Sequence, residues 1–301
     1  GYVGAVLVPE LLYRGYKVRV MDNLMYGQCT LLRYFIDKNF EFVLGDIRDK
    51  NTVKDCLKDI DVIIHLAAIV GAPACRMNKR RAREVNVKGT KNILDLRDSS
   101  SQKFIYASTG SVYGAIDGVC TEESSTNPLT TYSVTKLEAE KLALESGNSI
   151  SLRFATAYGL SPRVRMDLMP NDFVNQACKN SAIIVYEKEF RRTFIHVKDI
   201  AMSYIFSLDN YERMVGEAYN VGSEKLNLTK EDVCLAIKEK VDYFLHFADI
   251  GSDPDKRDYE VSYEKISNLG FETEITFEEG LDELIAAEAI INTSNPYSNV
   301  L

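Results

Sequence analysis

Residues 103 to 114 read Lys103-Phe104-Ile105-Tyr106-Ala107-Ser108-Thr109-Gly110-Ser111-Val112-Tyr113-Gly114, and after a polar loop the chain continues Thr131-Tyr132-Ser133-Val134-Thr135-Lys136. The apolar run Phe104 to Ala107 has the composition of a strand buried on both faces, and it delivers Ser108 and Thr109 to its C-terminal edge. In open parallel sheets that edge is where ligands bind. The second segment reads as a helix. Tyr132 and Lys136 stand four residues apart, so they share one face of it and their functional groups can meet. A cation beside a phenol favours the phenolate and lowers a tyrosine pKa from about 10 toward neutrality. Tyr132 is thereby a candidate general base, Lys136 its activator, and Thr109 a hydroxyl able to hold the same substrate oxygen. The spacing alone is weak, because Tyr13 with Lys17 and Tyr34 with Lys38 repeat it in a chain of 17 tyrosines. Only Tyr132 follows a strand that ends in a hydroxyl.

Working outward, the chain opens Gly1-Tyr2-Val3-Gly4, and Val3, Val6, Leu7, Leu11 and Leu12 recur at helical spacing up to Gly15. Pro9 is awkward in that helix, since it removes a backbone donor and can kink the second turn. A short strand, Lys17 to Met21, then leads to Asp22 and Asn23. This is the second half of a dinucleotide-binding fingerprint, in which a strand enters a glycine-rich turn, pyrophosphate rests on the following helix N-terminus, and a later acid takes the ribose hydroxyls. Gly1 and Gly4 serve as the later glycines and Asp22 as the acid. The strand and first glycine would precede Gly1, so roughly ten residues of the motif are expected to be missing. An aspartate at this place repels a 2′-phosphate, which favours NAD over NADP.

The alternation continues. Strands are expected at Phe40 to Leu44, which brings Asp46 and Ile47 toward the adenine, and at Asp61 to Leu66, which ends in the small pair Ala67-Ala68. A helix over Arg83 to Leu96 contains Asn86 and Gly89, and a further strand covers Ser149 to Phe154. Regular alternation of this kind predicts an α/β fold with a doubly wound parallel sheet. From Leu160 the pattern loosens through Pro162 and Pro170, a helical run Asp172 to Lys179, the pair Arg191-Arg192 leading into a short strand, and a helix Thr229 to Lys240. The expected division is a dinucleotide-binding lobe over 1–158, a substrate lobe over 159–291 with residues 190–208 returning to the first, and a tail over 292–301.

Composition narrows the function. With 301 residues and 46% hydrophobic content, the chain can bury a large core. It shows neither a membrane-spanning apolar run nor a signal peptide. A net charge of −8 argues against nucleic acid and anionic membrane as partners. Six scattered cysteines without a Cys-x-x-Cys or a Cys/His cluster predict no metal and no disulfide framework, which suits a reducing cytoplasm. His65, His196 and His246 read as structural histidines.

The motifs, in order, are Gly1 to Gly4, Asp22-Asn23-Leu24, Gly45-Asp46, His65 to Ala68, Asn86 to Thr90, Ser108-Thr109, Tyr132 with Lys136, Arg153 to Gly159, and Arg192 to Asp199. In that order and spacing the chain resembles the extended short-chain dehydrogenase/reductases, in their NAD-dependent nucleotide-sugar epimerase and dehydratase branch. The resemblance implies a Rossmann-type sheet with a smaller α/β substrate lobe, NAD as cofactor, a nucleotide-diphosphate sugar as substrate, and a homodimer. It implies NAD contacts at Gly1, Gly4, Asp22, Asn23, Asp46, Ile47, Ala67, Ala68, Asn86, Tyr132 and Lys136. It also implies substrate contacts at Thr109, Thr156, Arg192 and Arg257, the arginines holding the diphosphate. Where the family's 4,6-dehydratases carry Asp-Glu after the catalytic threonine, this chain has Gly110-Ser111, neither of which transfers a proton at neutral pH. Thr156 replaces an asparagine common in 4-epimerases, and Thr193 an aspartate. The implied activity is an epimerase acting through oxidation at sugar C4 to a 4-keto sugar, in surface-polysaccharide or deoxysugar/heptose metabolism. The alternatives are a net 4-dehydrogenase that releases the keto sugar, and a non-catalytic NAD-binding sensor or scaffold on the same fold.

Overall fold

The computed structural model describes residues 1–249, 251, 258–291 and 299. Helix α1 (Gly4–Tyr13) buries Ala5, Leu7, Val8, Leu11 and Leu12 and runs through Pro9 without ending there. It stops at Gly15, whose positive φ of 84° lets Gly15 N–H and Tyr16 N–H turn back onto the carbonyls of Leu12 and Leu11. Strand β1 (Val18–Asp22) follows and pairs in parallel with β2 (Phe40–Leu44), Val20 opposite Phe42. A second parallel block contains β3 (Val62–His65), β4 (Lys103–Thr109), β6 (Ser149–Phe154) and β10 (Ala218–Val221), in the order β10-β6-β4-β3. In it Ile64 pairs with Ile105, and Ile105 with Ile150. Helices α2 (Lys50–Cys56), α3 (Ala72–Met77), α4 (Lys79–Arg83), α5 (Thr90–Leu96) and α6 (Thr131–Glu145) supply the crossovers.

No strand among the described residues joins the two blocks. Val18 and Val20 of β1, Val62 and Ile64 of β3, and Leu7 and Val8 of α1 line the inner end of a large cleft between them.

The second lobe is built on β7 (Thr156–Tyr158), β9 (Arg191–His196) and β11 (Asn227–Thr229), with β9 parallel to β7 and antiparallel to β11. Beside it, β8 (Ala182–Tyr186) pairs in parallel with β12 (Phe244–Ala248). Helices α7 (Met169–Asn180), α10 (Lys230–Lys238) and α12 (Phe277–Ala287) close a core that holds Tyr158, Val174, Phe194, Val233 and Leu281. Helix α8 (Val197–Asp209) packs on α1, and its Ile200, Ala201, Tyr204 and Ile205 share one core with Leu7 and Leu11. The short helices α9 (Tyr211–Met214) and α11 (Glu264–Ser267) flank β10 and β13 (Asp258–Val261). No helix among the described residues is long and apolar enough to cross a membrane.

Two local features differ from the sequence pattern. The segment after Gly114, polar enough to read as loop, contains β5 (Ala115–Cys120), which pairs in parallel with β13 through an irregular register. A pairing this distant leaves no local trace. The helix expected over Arg83 to Leu96 is interrupted by a π-turn, Glu84–Gly89, before α5 begins. There a Cβ on Gly89 would lie 2.5 Å from Ile47 Cδ1, so the missing side chain is what admits the loop after β2.

Candidate active site

Helix α6 begins where a reciprocal cap fixes it. Thr130 Oγ1 accepts from Ser133 N–H at 3.1 Å, and Ser133 Oγ accepts from Thr130 N–H at 3.1 Å. This start puts Tyr132 in the first turn, half-buried, and Lys136 one turn later and buried. Lys136 and Glu140 share the face turned to the sheet. Strand β4 pairs with β6 as far as Thr109 opposite Phe154, so Thr109 lies at the last rung of the ladder. Its Oγ1 accepts from Ser111 N–H at 3.2 Å. With that lone pair engaged, the hydroxyl proton is available to donate to a ligand. The 3₁₀ turn Gly110–Val112 that follows is buried and carries no carboxylate.

Lys136 Nζ sits 4.2 Å from the centroid of the Tyr106 ring. Burial pushes its pKa down to about 7, and Glu140 and then Cys75 oppose the shift. The group can therefore hold or release a proton near neutrality. His65, at the end of β3, is held neutral by burial and by Lys136, with its pKa at about 3, and its Nε2 meets Thr90 Oγ1 at 2.9 Å. His196 is likewise structural: its Nδ1 accepts from Lys198 N–H at 3.3 Å, so Nε2 carries the proton and donates to Glu283 Oε1 at 2.5 Å. His246 lies exposed on β12 beside Phe244.

The other wall is shaped for a dinucleotide. The N-terminus of α1 has no side-chain cap and no acidic residue in its first turn; Ala5 N–H and Val6 N–H donate to Gly1 O and Val3 O at 3.0 Å, and the helix dipole there favours an anion. Gly1, Gly4, Asp22, Asn23, Asp46, Ile47, Ala67 and Ala68 all line the cleft, as do Thr109, Tyr132, Lys136, Thr156 and Arg192. Asp22 Oδ1 is fixed by Leu24 N–H at 2.8 Å. Asp46 is held well below the usual carboxylate range by hydrogen bonds from Arg48, and Asn23 Nδ2 reaches it at 3.1 Å. Asn86 is different. It is buried away from the cleft, its Oδ1 accepting from Ile69 N–H at 2.8 Å and its Nδ2 donating to Ile69 O at 3.0 Å and Thr135 Oγ1 at 3.0 Å. It braces the loop after β3 against α6 and leaves the lining to Ala67 and Ala68.

On the substrate side, Arg192 is buried in β9, and its Nη1 donates to Arg191 O at 2.8 Å. Arg257 lies outside the described residues. The cleft also takes in two arginines that the motif reading passes over, Arg163 and Arg165. Arg165 bonds Asp167 side-on, Nε to Oδ1 at 3.1 Å and Nη2 to Oδ2 at 2.5 Å, and it interacts electrostatically with Tyr132. The only local sequence signal is the run Arg163-Val164-Arg165-Met166-Asp167 after Pro162, which alternates charged and apolar residues.

A model of the NAD dependent epimerase/dehydratase family matches residues 1–222, and the chain belongs to that family. The low-salt glycan biosynthesis protein Agl12 of Haloferax volcanii is 31% identical over 297 residues, which span 95% of this chain and 94% of that protein. A UDP-glucuronic acid 4-epimerase from Bacillus cereus, solved with UDP-glucuronic acid and NAD, superposes with a TM-score of 0.85 over 96% of each chain. At 23% identity that likeness speaks for the fold alone. The dTDP-glucose 4,6-dehydratase of Bacillus anthracis, solved with NAD, has a TM-score of 0.81 at 26% identity, covering 96% of this chain and 94% of its own. The fold is thus the Rossmann-type α/β architecture expected from the strand and helix alternation. Epimerases and dehydratases share it, so the reaction has to be argued from the site.

Proposed function

We propose that the chain is an NAD-dependent nucleotide-sugar epimerase that oxidises its substrate at sugar C4 and reduces the resulting 4-keto sugar on the opposite face. The observation that carries this reading is the convergence of Thr109, Tyr132 and the buried Lys136 on the same cleft as the uncapped N-terminus of α1 and Asp22. NAD, when bound, supplies the hydride acceptor and donor. Asp22 would take the adenosine ribose hydroxyls, and the first turn of α1 the pyrophosphate. Thr109 donates its hydroxyl proton to the C4 oxygen and holds it in line. Tyr132 removes the C4 hydroxyl proton and later returns it, a contribution worth about 10²–10⁴ in rate. Lys136, on the same helix face, stabilises the phenolate when it is protonated. Thr156 and Arg192 would receive the nucleotide diphosphate. Gly110 and Ser111 argue against water elimination, because neither is an acid or base at neutral pH.

The test is incubation of the full-length protein with NAD and candidate sugar nucleotides, following NADH absorbance and sugar composition together. Interconversion of C4 epimers without lasting NADH is expected, and Tyr132→Phe should abolish it. A stoichiometric rise in NADH would make the enzyme a net 4-dehydrogenase, and unchanged turnover in Tyr132→Phe would remove the tyrosine from the chemistry.

A further inference from the structure

The buried arginines Arg153, Arg163 and Arg165 differ in how the side edge of the guanidinium, formed by Nε and Nη2, is used. In Arg153 that edge is bonded to Glu140, and in Arg165 to Asp167. In Arg163, only 3% exposed, neither Nε nor Nη2 has a hydrogen-bond partner among the described residues. The side edge is the one that reads two oxygens of a carboxylate or phosphate at once. Leaving such a cation buried and unpaired is costly, and the oxygens of an anionic ligand would relieve that cost.

The surroundings say which ligand. Arg163 is among the residues that line the cleft, its Cζ lies 4.4 Å from the centroid of the Tyr26 ring, and Tyr26 follows Asp22 and Asn23 on the loop after β1. Its own loop is tied to the glycine turn: Ser161 Oγ donates to Tyr2 O at 2.7 Å, and Tyr2 OH donates to Gly159 O at 2.7 Å. Arg163 N–H donates in turn to Ser161 Oγ at 3.3 Å. Arg163 is thereby held over the start of α1, whose first turn is itself uncapped.

We infer that the side edge of Arg163 clamps the pyrophosphate of a bound dinucleotide against the N-terminus of α1. The inference rests on reading the cleft as the NAD site and adds to it a residue from the loop that opens the substrate lobe. Filling the cofactor site therefore also pins residues 159–163, the segment that leads toward Arg165 and Tyr132.

The experiment is calorimetric titration of the full-length protein, wild type, Arg163→Met and Arg163→Lys, with NAD, ADP-ribose, adenosine and UDP. Arg163→Met is expected to weaken NAD and ADP-ribose about 10- to 100-fold, while adenosine and UDP are unaffected. Arg163→Lys should fall between, because an ammonium keeps the charge without the fork. The melting temperature of ligand-free Arg163→Met should not drop, since the substitution removes a buried unpaired charge. Undiminished ADP-ribose binding in a folded Arg163→Met overturns the inference and leaves the cofactor reading standing. Loss of UDP binding in place of ADP-ribose overturns it by moving Arg163 to the substrate's diphosphate. Parallel loss of adenosine binding with a lowered melting temperature overturns it in favour of a packing role. A wild-type protein that binds neither NAD nor ADP-ribose overturns the cofactor reading and this inference together.

Discussion

Beneath the reactive face of α6 lies an ion pair whose removal has a calculable consequence. Glu140, 1% exposed, receives Arg153 Nη2 at 2.7 Å and Nε at 3.1 and 3.2 Å, and Ser151 Oγ at 3.1 Å. Arg153 also donates to Tyr113 OH at 3.0 Å and Glu122 O at 3.2 Å, and Tyr113 OH passes the chain on to Asn220 Oδ1 at 2.7 Å. In Glu140→Gln the guanidinium stays buried with neutral partners alone, the new amide oxygen, Tyr113 and the Glu122 carbonyl, and breaking a buried pair from one side costs about 3–5 kcal/mol. At about 2 °C per kcal/mol for a chain of this length, the melting temperature should fall by about 6–10 °C. Arg153→Met strands Glu140 in the same way and should cost a similar amount. The double variant Glu140→Leu/Arg153→Met leaves no stranded charge and should lie within about 2 kcal/mol of wild type, closer than either single variant. Thermal denaturation followed by far-UV circular dichroism measures all four proteins. If the single variants melt with wild type, or the double variant loses the sum of the two, the pair is not the coupled unit described here. Glu140 also opposes the burial that depresses Lys136. A Glu140→Gln protein that still folds should therefore lose its Lys136 proton at lower pH than wild type does.

Two further outcomes follow from the shifted groups. Lys136 has its pKa lowered by burial from 10.5 to about 7. Between those values the unfolded chain binds the extra proton, so wild-type stability should rise with pH through that window, and Lys136→Met should flatten the rise in urea midpoints. Glu283 is pushed up by burial but held down at about 2 by His196 and by Leu160 N–H, from an ordinary 4.5. Its contribution is present above about 4.5 and lost as pH falls toward 2, so Glu283→Gln should lower the midpoint at neutral pH and leave little further loss in acid.

The elements legible in the sequence are those whose cause is local. The apolar run ending at Thr109, the alternation of strand and helix up to Phe154, and the capped start of α6 each follow from a periodicity or a short side-chain exchange. Strand β5 was hidden because its stability comes from β13, far along the chain, and because Gly118 breaks its pattern. The π-turn at Glu84–Gly89 was hidden as well: Ile47 packs over Gly89 at its end, a contact absent from the local sequence.

The same distinction governs the site. Tyr132 and Lys136, one helix turn apart, and Thr109, at a strand end, have positions that follow from local pattern, and all three line the cleft. Asn86 lies in a recognisable motif, yet whether its amide points into the cleft or braces Ile69 and Thr135 is decided by the fold of three segments at once. The charge state of Lys136 is likewise collective: its spacing from Tyr132 promised a cation, but its burial against β4 brings its pKa near neutrality and makes Glu140 necessary. A sequence motif identifies which groups meet, whereas burial sets what protons they carry when they do. Under the proposed mechanism the second question decides whether Tyr132 has a cation on its helix face at neutral pH, and it turns on residues outside the motif.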